Sequence, residues 1–322
     1  MNSSALEKRR VYLYLAISFG IAWITGLVIY LTGGLVNSPT VAGNISLALV
    51  LLATTYMGAP ALANLLTRII TREGWQNAYL RPKFKSGWKY WLAAWFGPGL
   101  LTIFGALVFF LIFPASYDSN LTVLRGMLEG NAATAGQALP EINPWIIVIV
   151  QTIQAMVIAP VLNALPTFGE EFGWRAYLQP KLMSMMNARK AILLVGIIWG
   201  VWHWPVILMG HNYGLDYPGA PWLGPLAMIW FCIVLGTFIG WVTIRGGSVW
   251  PAVIAHGAIN GIAGIGVLLV QGDVNPLLGP MPVGVIGSIG FSVVAMILFS
   301  SPKGLALPQV EIKEVTTIDS VE

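Results

Sequence analysis

Residues 223–244 read LGPLAMIWFCIVLGTFIGWVTI, an apolar run that contains no charged side chain. An α-helix needs about 20 such residues to cross the hydrocarbon core of a bilayer. Seven more apolar runs flank this one, so the sequence predicts an all-α polytopic membrane protein, a bundle of about eight transmembrane helices. The predicted spans are 11–31, 45–66, 88–113, 145–165, 191–209, 223–244, 249–270 and 283–299.

The composition of the 322 residues excludes a soluble enzyme. Apolar residues make up 57% of the chain and charged residues only 9%, with a mean hydropathy of +0.75. Soluble domains have about 45–50% apolar and about 25% charged residues, so this chain could not hide its apolar surface from water. Cys232 is the single cysteine of the sequence, which rules out an intramolecular disulfide.

The basic residues predict the orientation of the spans, because positively charged loops stay in the cytoplasm. With a cytoplasmic N-terminus, 16 of the 17 Lys and Arg fall on the cytoplasmic side, and only Arg125 falls outside. We therefore predict a multi-pass protein of the cell membrane with both termini cytoplasmic, and no binding of nucleic acid. The predicted layout is a cytoplasmic N-terminus (1–10), an eight-helix membrane domain (11–299) and a cytoplasmic tail (300–322).

Six polar side chains stand out because an ionisable group at bilayer depth costs at least about 2.5 kcal/mol. Pairs of them are spaced four residues apart, which places both members on one helix face. Two carboxylates, two imidazoles and an amide can activate a water molecule and stabilise an oxyanion, so we predict hydrolysis. The residues are Glu170, Glu171 and Arg175 after the fourth span, His203 on the fifth, and His256 and Asn260 on the seventh.

A simpler interpretation exists for each of these residues taken alone. A buried histidine can serve interhelical packing, and adjacent glutamates can be the solvated start of a helix. Their joint occurrence on three segments favours a functional site. His211 lies in a polar stretch that we assign to a surface loop, so it is left out of the predicted site.

Three motifs resemble a known family. The segments EEFGWR (170–175), WGVWH (199–203) and HGAIN (256–260) are similar, in this order, to the motifs of the CAAX protease and bacteriocin-processing (CPBP) family. The similar region spans about 145–270. Trp199 stands where the family usually has Phe, and Ala176 where Gly is common, and neither change removes a reactive group.

The resemblance implies an eight-helix intramembrane endopeptidase whose cavity opens to the membrane and the cytosol. Glu170 would be the base that activates water, with the motif His and Asn residues positioning the water or stabilising the oxyanion. The predicted catalytic residues are Glu170, Glu171, His203, His256 and Asn260, supported by Arg175 and Trp199.

Two questions stay open at this stage. A zinc ion held by Glu170, His203 and His256 and a metal-free, glutamate-dependent reaction are both compatible with the residues; the sequence has no His-Glu-x-x-His helix. The partners would be the lipid bilayer and a membrane-associated peptide or protein substrate. The alternative function is a non-catalytic membrane scaffold or a secondary transporter with a polar midplane site.

Overall fold

The computed structural model describes residues 3–138 and 142–306, and these residues form an all-α protein whose only strands make one short hairpin. The predicted fold class is therefore confirmed. Strands β1 (Thr40–Ala42) and β2 (Ile45–Ser46) pair antiparallel. In chain order the α-helices are α1 Ser3–Leu31, α2 Leu47–Leu51, α3 Met57–Ile70, α4 Phe84–Ile112, α5 Thr122–Ala135, α6 Pro144–Val157, α7 Ala159–Leu162, α8 Ala164–Gly173, α9 Gln179–Met183, α10 Ala188–Trp202, α11 Trp204–Leu208, α12 Leu223–Gly246, α13 Trp250–Ile262 and α14 Ile289–Ser300.

Short segments of other helical geometry join several of these helices. Leu52–Tyr56 and Trp174–Leu178 are π-helical, and Pro114–Ser116 and Ile265–Leu269 are 3₁₀-helical. Within the described residues, five continuous helical stretches are long and apolar enough to cross a membrane. They are Ser4–Leu31, Leu47–Ile70, Phe84–Ile112, Leu223–Gly246 and Trp250–Leu269.

The other three predicted spans are shorter or interrupted. The fourth, 145–165, breaks at Ile158 and Asn163 and then continues as a helix to Met183. The fifth breaks at His203, and the eighth becomes helical only at Ile289. Prolines explain the breaks at Ile158 and His203. Pro160 and Pro205 lie two residues after these breaks and have no N–H for the hydrogen-bond ladder of the preceding helix.

Helix α12 lies at the centre of the bundle, and most of its side chains are buried. It packs closely against α10 because glycines leave room for its backbone. A Cβ atom at Gly200 would lie 2.5 Å from the Cα of Ile229, and one at Gly196 would lie 2.7 Å from the Cα of Ile233. Gly196 and Gly200, four residues apart on α10, thus allow the close approach of the two helix backbones.

Two predicted segments extend beyond the described residues. Helix α1 begins at Ser3, so the described part of the predicted N-terminal segment 1–10 is the first turns of that helix. The predicted tail begins where α14 ends, and its residues 307–322 lie outside the described residues. The division into these segments stays a prediction.

Candidate active site

Helix α8 carries both glutamates and is held tightly against α3. A Cβ atom at Gly169 would lie 2.6 Å from the carbonyl oxygen of Met57, and one at Gly173 would lie 2.3 Å from the Cβ of Pro60. Only glycine allows such an approach without displacing the neighbour. The close packing buries Glu170 and Glu171, which are 3% and 0% exposed.

Glu171 forms a buried pair with Arg175, as the spacing predicted. Its Oε1 lies 3.0 Å from Arg175 Nη1 and also 2.7 Å from His256 Nδ1. One carboxylate oxygen therefore joins α8 to α13 and neutralises a guanidinium that is fully buried. The charge count assigns Arg175 to the cytoplasmic side of the membrane, and the structure buries this residue fully within the π-helical segment that follows α8.

Trp199 on α10 connects the other members of the site. Its indole Nε1 donates a hydrogen bond of 2.8 Å to Glu170 Oε2, and the Cζ of Arg175 lies 4.3 Å from its ring centroid. The ring also lies 5.4 Å from the ring of His256 and 5.7 Å from that of His203. Trp199, predicted only as a supporting residue, is thus a hydrogen-bond donor to Glu170, and the sequence did not predict this contact.

Both histidines use Nδ1 within the protein. His203 ends α10, and its Nδ1 lies 2.8 Å from the carbonyl oxygen of Trp199. A carbonyl only accepts, so Nδ1 carries the hydrogen and Nε2 of the neutral ring is an acceptor. His256 uses Nδ1 toward Glu171 in the same way. Each imidazole therefore keeps Nε2 for another partner.

A cavity of about 310 Å³ brings the predicted residues together. Glu170, Trp199, His203, His256 and Asn260 all line it, although they come from three segments far apart in sequence. Asn260 is exposed within the described chain, whereas the others are buried or half-buried. Glu171 and Arg175 are absent from the lining and lie behind it. The remaining walls are mostly apolar, for example Leu52, Val206, Met228, Phe231 and Ile259.

The arrangement does not fit a zinc site of three protein ligands. Among residues 3–138 and 142–306, no three His, Cys, Asp or Glu side chains lie close enough together to share a metal ion. Glu170, His203 and His256 line one cavity without forming such a group; Glu170 Oε2 accepts from the Trp199 indole, and both histidines use only Nδ1 within the protein.

The structure adds cavity residues that sequence reasoning missed. Tyr56 lines the cavity and donates a 2.6 Å hydrogen bond from its hydroxyl to the carbonyl oxygen of Trp202. A lone tyrosine within an apolar span gives no signal in the sequence. His211 and Asn212 also line the cavity. The surface loop to which the sequence analysis assigned His211 therefore forms part of the cavity rim.

Comparisons with known proteins place the site within a recognised sequence region. Residues 144–262 match the family described as type II CAAX prenyl endopeptidase Rce1-like. CAAX prenyl protease 2 of Methanococcus maripaludis is 33% identical over 93 residues, which cover 28% of this chain and 34% of that protein. Lysostaphin resistance protein A of Staphylococcus haemolyticus is 27% identical over 109 residues, covering 34% of this chain and 26% of that protein. The chain thus spans about a third or less of the length of these relatives.

Proposed function

Because the chain belongs, through residues 144–262, to the CPBP family that its motifs resembled, we propose that it is an intramembrane endopeptidase. The family resemblance is confirmed, and the activity is our proposal. Its substrate is a membrane-associated protein or peptide, and its place is the cell membrane with both termini cytoplasmic. One observation carries the proposal: a buried carboxylate, Glu170, lines a cavity together with two imidazole side chains and the amide of Asn260.

Glu170 is the general base in this proposal. It takes a proton from a water molecule while the water oxygen attacks the carbonyl carbon of the peptide bond. The same proton then passes to the leaving nitrogen as the carbon–nitrogen bond breaks, so the products are a carboxylic acid and an amine. The Trp199 indole holds one oxygen of Glu170, which leaves the other oxygen for the water.

The remaining cavity residues divide the other tasks. His203 presents the acceptor Nε2 and can orient the water, because its Nδ1 hydrogen is given to the Trp199 carbonyl. The Asn260 amide donates to the oxyanion that forms on the attacked carbonyl. His256, held at Nδ1 by Glu171, donates to the same oxyanion from Nε2 when the ring is protonated. Glu171 and Arg175 position this ring from behind the cavity.

The test measures the rate of peptide cleavage by the purified protein and by two matched variants. The substrate is a fluorogenic peptide ending in a CAAX sequence, since one relative is named a CAAX prenyl protease, in a prenylated and an unprenylated form. Glu170→Gln should lose at least about 100-fold in rate, as expected for loss of a general base. Glu129→Gln, an exposed residue of α5 outside the cavity, should cleave at the wild-type rate.

The same assay separates the open alternatives. In the metal-free reaction, a strong chelator leaves the rate unchanged; loss of activity on chelation and recovery with added zinc would replace this mechanism by a zinc-dependent one. Wild-type rates from Glu170→Gln would reject the general base. If the protein cleaves neither peptide form in either membrane orientation but transports a solute into proteoliposomes, it is instead a transporter.

A further inference from the structure

The helix break at His203 leaves one backbone carbonyl to be bound by side chains. In a continuous helix the amide of Val206 would donate to the carbonyl of Trp202, four residues earlier. Here that amide donates to the His203 carbonyl at 3.1 Å. Two side chains bind the Trp202 carbonyl: the Tyr56 hydroxyl at 2.6 Å and the Trp23 indole Nε1 at 3.3 Å. The residue directly before His203 is therefore anchored by other elements of the fold.

Tyr56 is the stronger of these two anchors. It is 2% exposed and lines the cavity, whereas Trp23 is 41% exposed and makes the longer hydrogen bond. The ring of Tyr56 also packs on the ring of Trp202, with the centroids 4.5 Å apart, and the Trp202 ring lies 4.9 Å from that of His203. Because a buried hydrogen bond is stronger than one exposed to water, Tyr56 fixes both the backbone and the side chain of Trp202.

A π-helical turn places Tyr56 in the cavity wall. Pro60 has no N–H and cannot donate to the Tyr56 carbonyl, four residues earlier. The helix is wider at this point, and the Met57 amide bonds to the carbonyl of Leu52, five residues earlier. The turn lies outside the family match at 144–262, so the matched motifs do not include it.

The same turn also contacts the helix that carries the glutamates. A Cβ atom at Gly169 would lie 2.6 Å from the Met57 carbonyl oxygen, so the turn touches α8 directly before Glu170. Tyr56 touches α10 at the residue directly before His203. Two consecutive residues of one turn thus connect the two segments whose side chains act on the water in the proposed reaction.

We propose that Tyr56 is a positioning residue for the hydrolysis: its hydroxyl, through the Trp202 carbonyl, holds the His203 ring in place in the cavity that Glu170 lines. The inference deepens the proposed peptidase function and rests on it. The bond of 2.8 Å from His203 Nδ1 to the Trp199 carbonyl lies within one helix end, so it orients the ring without fixing that end against its neighbours. Tyr56 supplies this fixation, and the orientation of the water by His203 Nε2 depends on it.

Tyr56→Phe keeps the ring and removes only the hydroxyl. With the fluorogenic CAAX peptide we expect kcat to fall about 10-fold and KM to stay within about twofold, because a displaced imidazole weakens the transition state and not substrate binding. The unfolding temperature should stay near that of the wild type, since Trp23 still binds the carbonyl. The matched control is Tyr217→Phe. Tyr217 is also buried and donates to a backbone carbonyl, that of Pro221 at 3.0 Å, but it does not line the cavity, so kcat should be unchanged.

A spectroscopic measurement follows the His203 ring without any catalysis. The sequence contains three histidines, so ¹⁵N-histidine labelling of the protein in detergent micelles gives three sets of imidazole signals, which single His→Gln variants assign. Tyr56→Phe should shift the ring nitrogens of His203. It should leave those of His256, which is held by Glu171, in place. Tyr217→Phe should shift neither set.

The contrary results are distinct. A wild-type kcat for Tyr56→Phe would reject the proposal, and a raised KM at unchanged kcat would make Tyr56 a substrate contact instead. Unmoved His203 signals, or an equal loss of kcat in Tyr217→Phe, would give the rate loss another origin and would also reject it. Failure of the peptidase function looks different: no cleavage by the wild-type protein, with His203 signals still shifted by Tyr56→Phe, would reject the activity and leave the anchoring of His203 in place.

Discussion

Trp199 is the residue on which the candidate site depends most, because its indole N–H is a hydrogen-bond donor to Glu170 and its face lies under Arg175. Trp199→Phe keeps the aromatic face and removes only the N–H. A hydrogen bond to a charged group contributes about 1.5–3 kcal/mol, so we expect the cleavage rate to fall about 10- to 100-fold. Steady-state kinetics on the purified variant measure the loss.

The matched control for this change is Trp230→Phe. Trp230 also donates its indole N–H within the protein, to Ser288 Oγ at 3.1 Å, but it does not line the cavity. Its loss should leave the cleavage rate near that of the wild type. Equal rate losses in the two variants would mean that the effect of Trp199→Phe is general destabilisation and not a lost contact with Glu170.

The adjacent glutamates should respond differently to removal of their charge. Glu171→Gln leaves the Arg175 guanidinium buried without a counter-charge, and breaking a buried pair in this way costs about 3–5 kcal/mol. We expect a clearly lower unfolding temperature and lost activity. Glu170→Gln should lose activity at nearly the wild-type unfolding temperature, because no buried cation depends on it in the same way.

A double variant checks this assignment. Glu171→Gln combined with Arg175→Gln removes both charges, so the unfolding temperature should recover part of what Glu171→Gln alone loses. Thermal unfolding in detergent, followed by tryptophan fluorescence, measures all the variants. A Glu171→Gln protein as stable as the wild type would contradict the structural role of the pair.

At the scale of elements, the contact between α7 and α13 sets the position of His256. A Cβ atom at Gly257 would lie 2.6 Å from the carbonyl oxygen of Pro160, and the amide of Asn163 donates to the Gly257 carbonyl at 3.0 Å. Gly257→Ala should therefore force the helices apart, at a cost of about 1–3 kcal/mol for overpacking. Unfolding temperature and cleavage rate should both fall, because His256 precedes Gly257 directly.

Gly264→Ala is the matched control at the end of the same helix. Nothing lies within 4 Å of a Cβ atom placed at Gly264, so this substitution meets no neighbour. Its effect on stability should be within about 0.5 kcal/mol, as for ordinary exposed positions. A loss as large as that of Gly257→Ala would show that backbone freedom, and not the close approach, is what these glycines provide.

The elements also show what the sequence could predict. Each predicted apolar run contains a helix in the structure, and five of the runs overlap continuous helical stretches long enough to cross a membrane, since hydropathy reports burial in lipid or protein directly. The breaks at Ile158 and His203 were missed although Pro160 and Pro205 signal them, because a proline in an apolar run can also be accommodated within a helix. Motif order identified the cavity residues from α8, α10 and α13. Tyr56 and the rim loop were missed because their positions depend on tertiary packing alone.

At the scale of the whole molecule, the helical segment that follows α8 is tied to α1 and to the loop after α3. Lys181 Nζ lies 2.5 Å from Glu73 Oε1 and 2.6 Å from Glu7 Oε2, and Arg10 Nε lies 3.2 Å from Glu73 Oε2. The hydroxyl of Tyr177 donates to Glu73 as well. Glu73 thus joins three parts of the chain at the end of the bundle opposite the cavity.

Glu73→Gln tests whether this network stabilises the bundle. The side chain of Glu73 is 10% exposed, so solvent screens its contacts only in part. Loss of its charge should lower the free energy of unfolding by about 1–3 kcal/mol, and the difference from the wild type should shrink at high salt. Glu129→Gln, at an exposed position of α5, should show no such difference. Because no member of this network lines the cavity, the cleavage rate of the folded Glu73→Gln protein should stay at the wild-type value. A rate loss at unchanged stability would mean that the network and the cavity are coupled through α8.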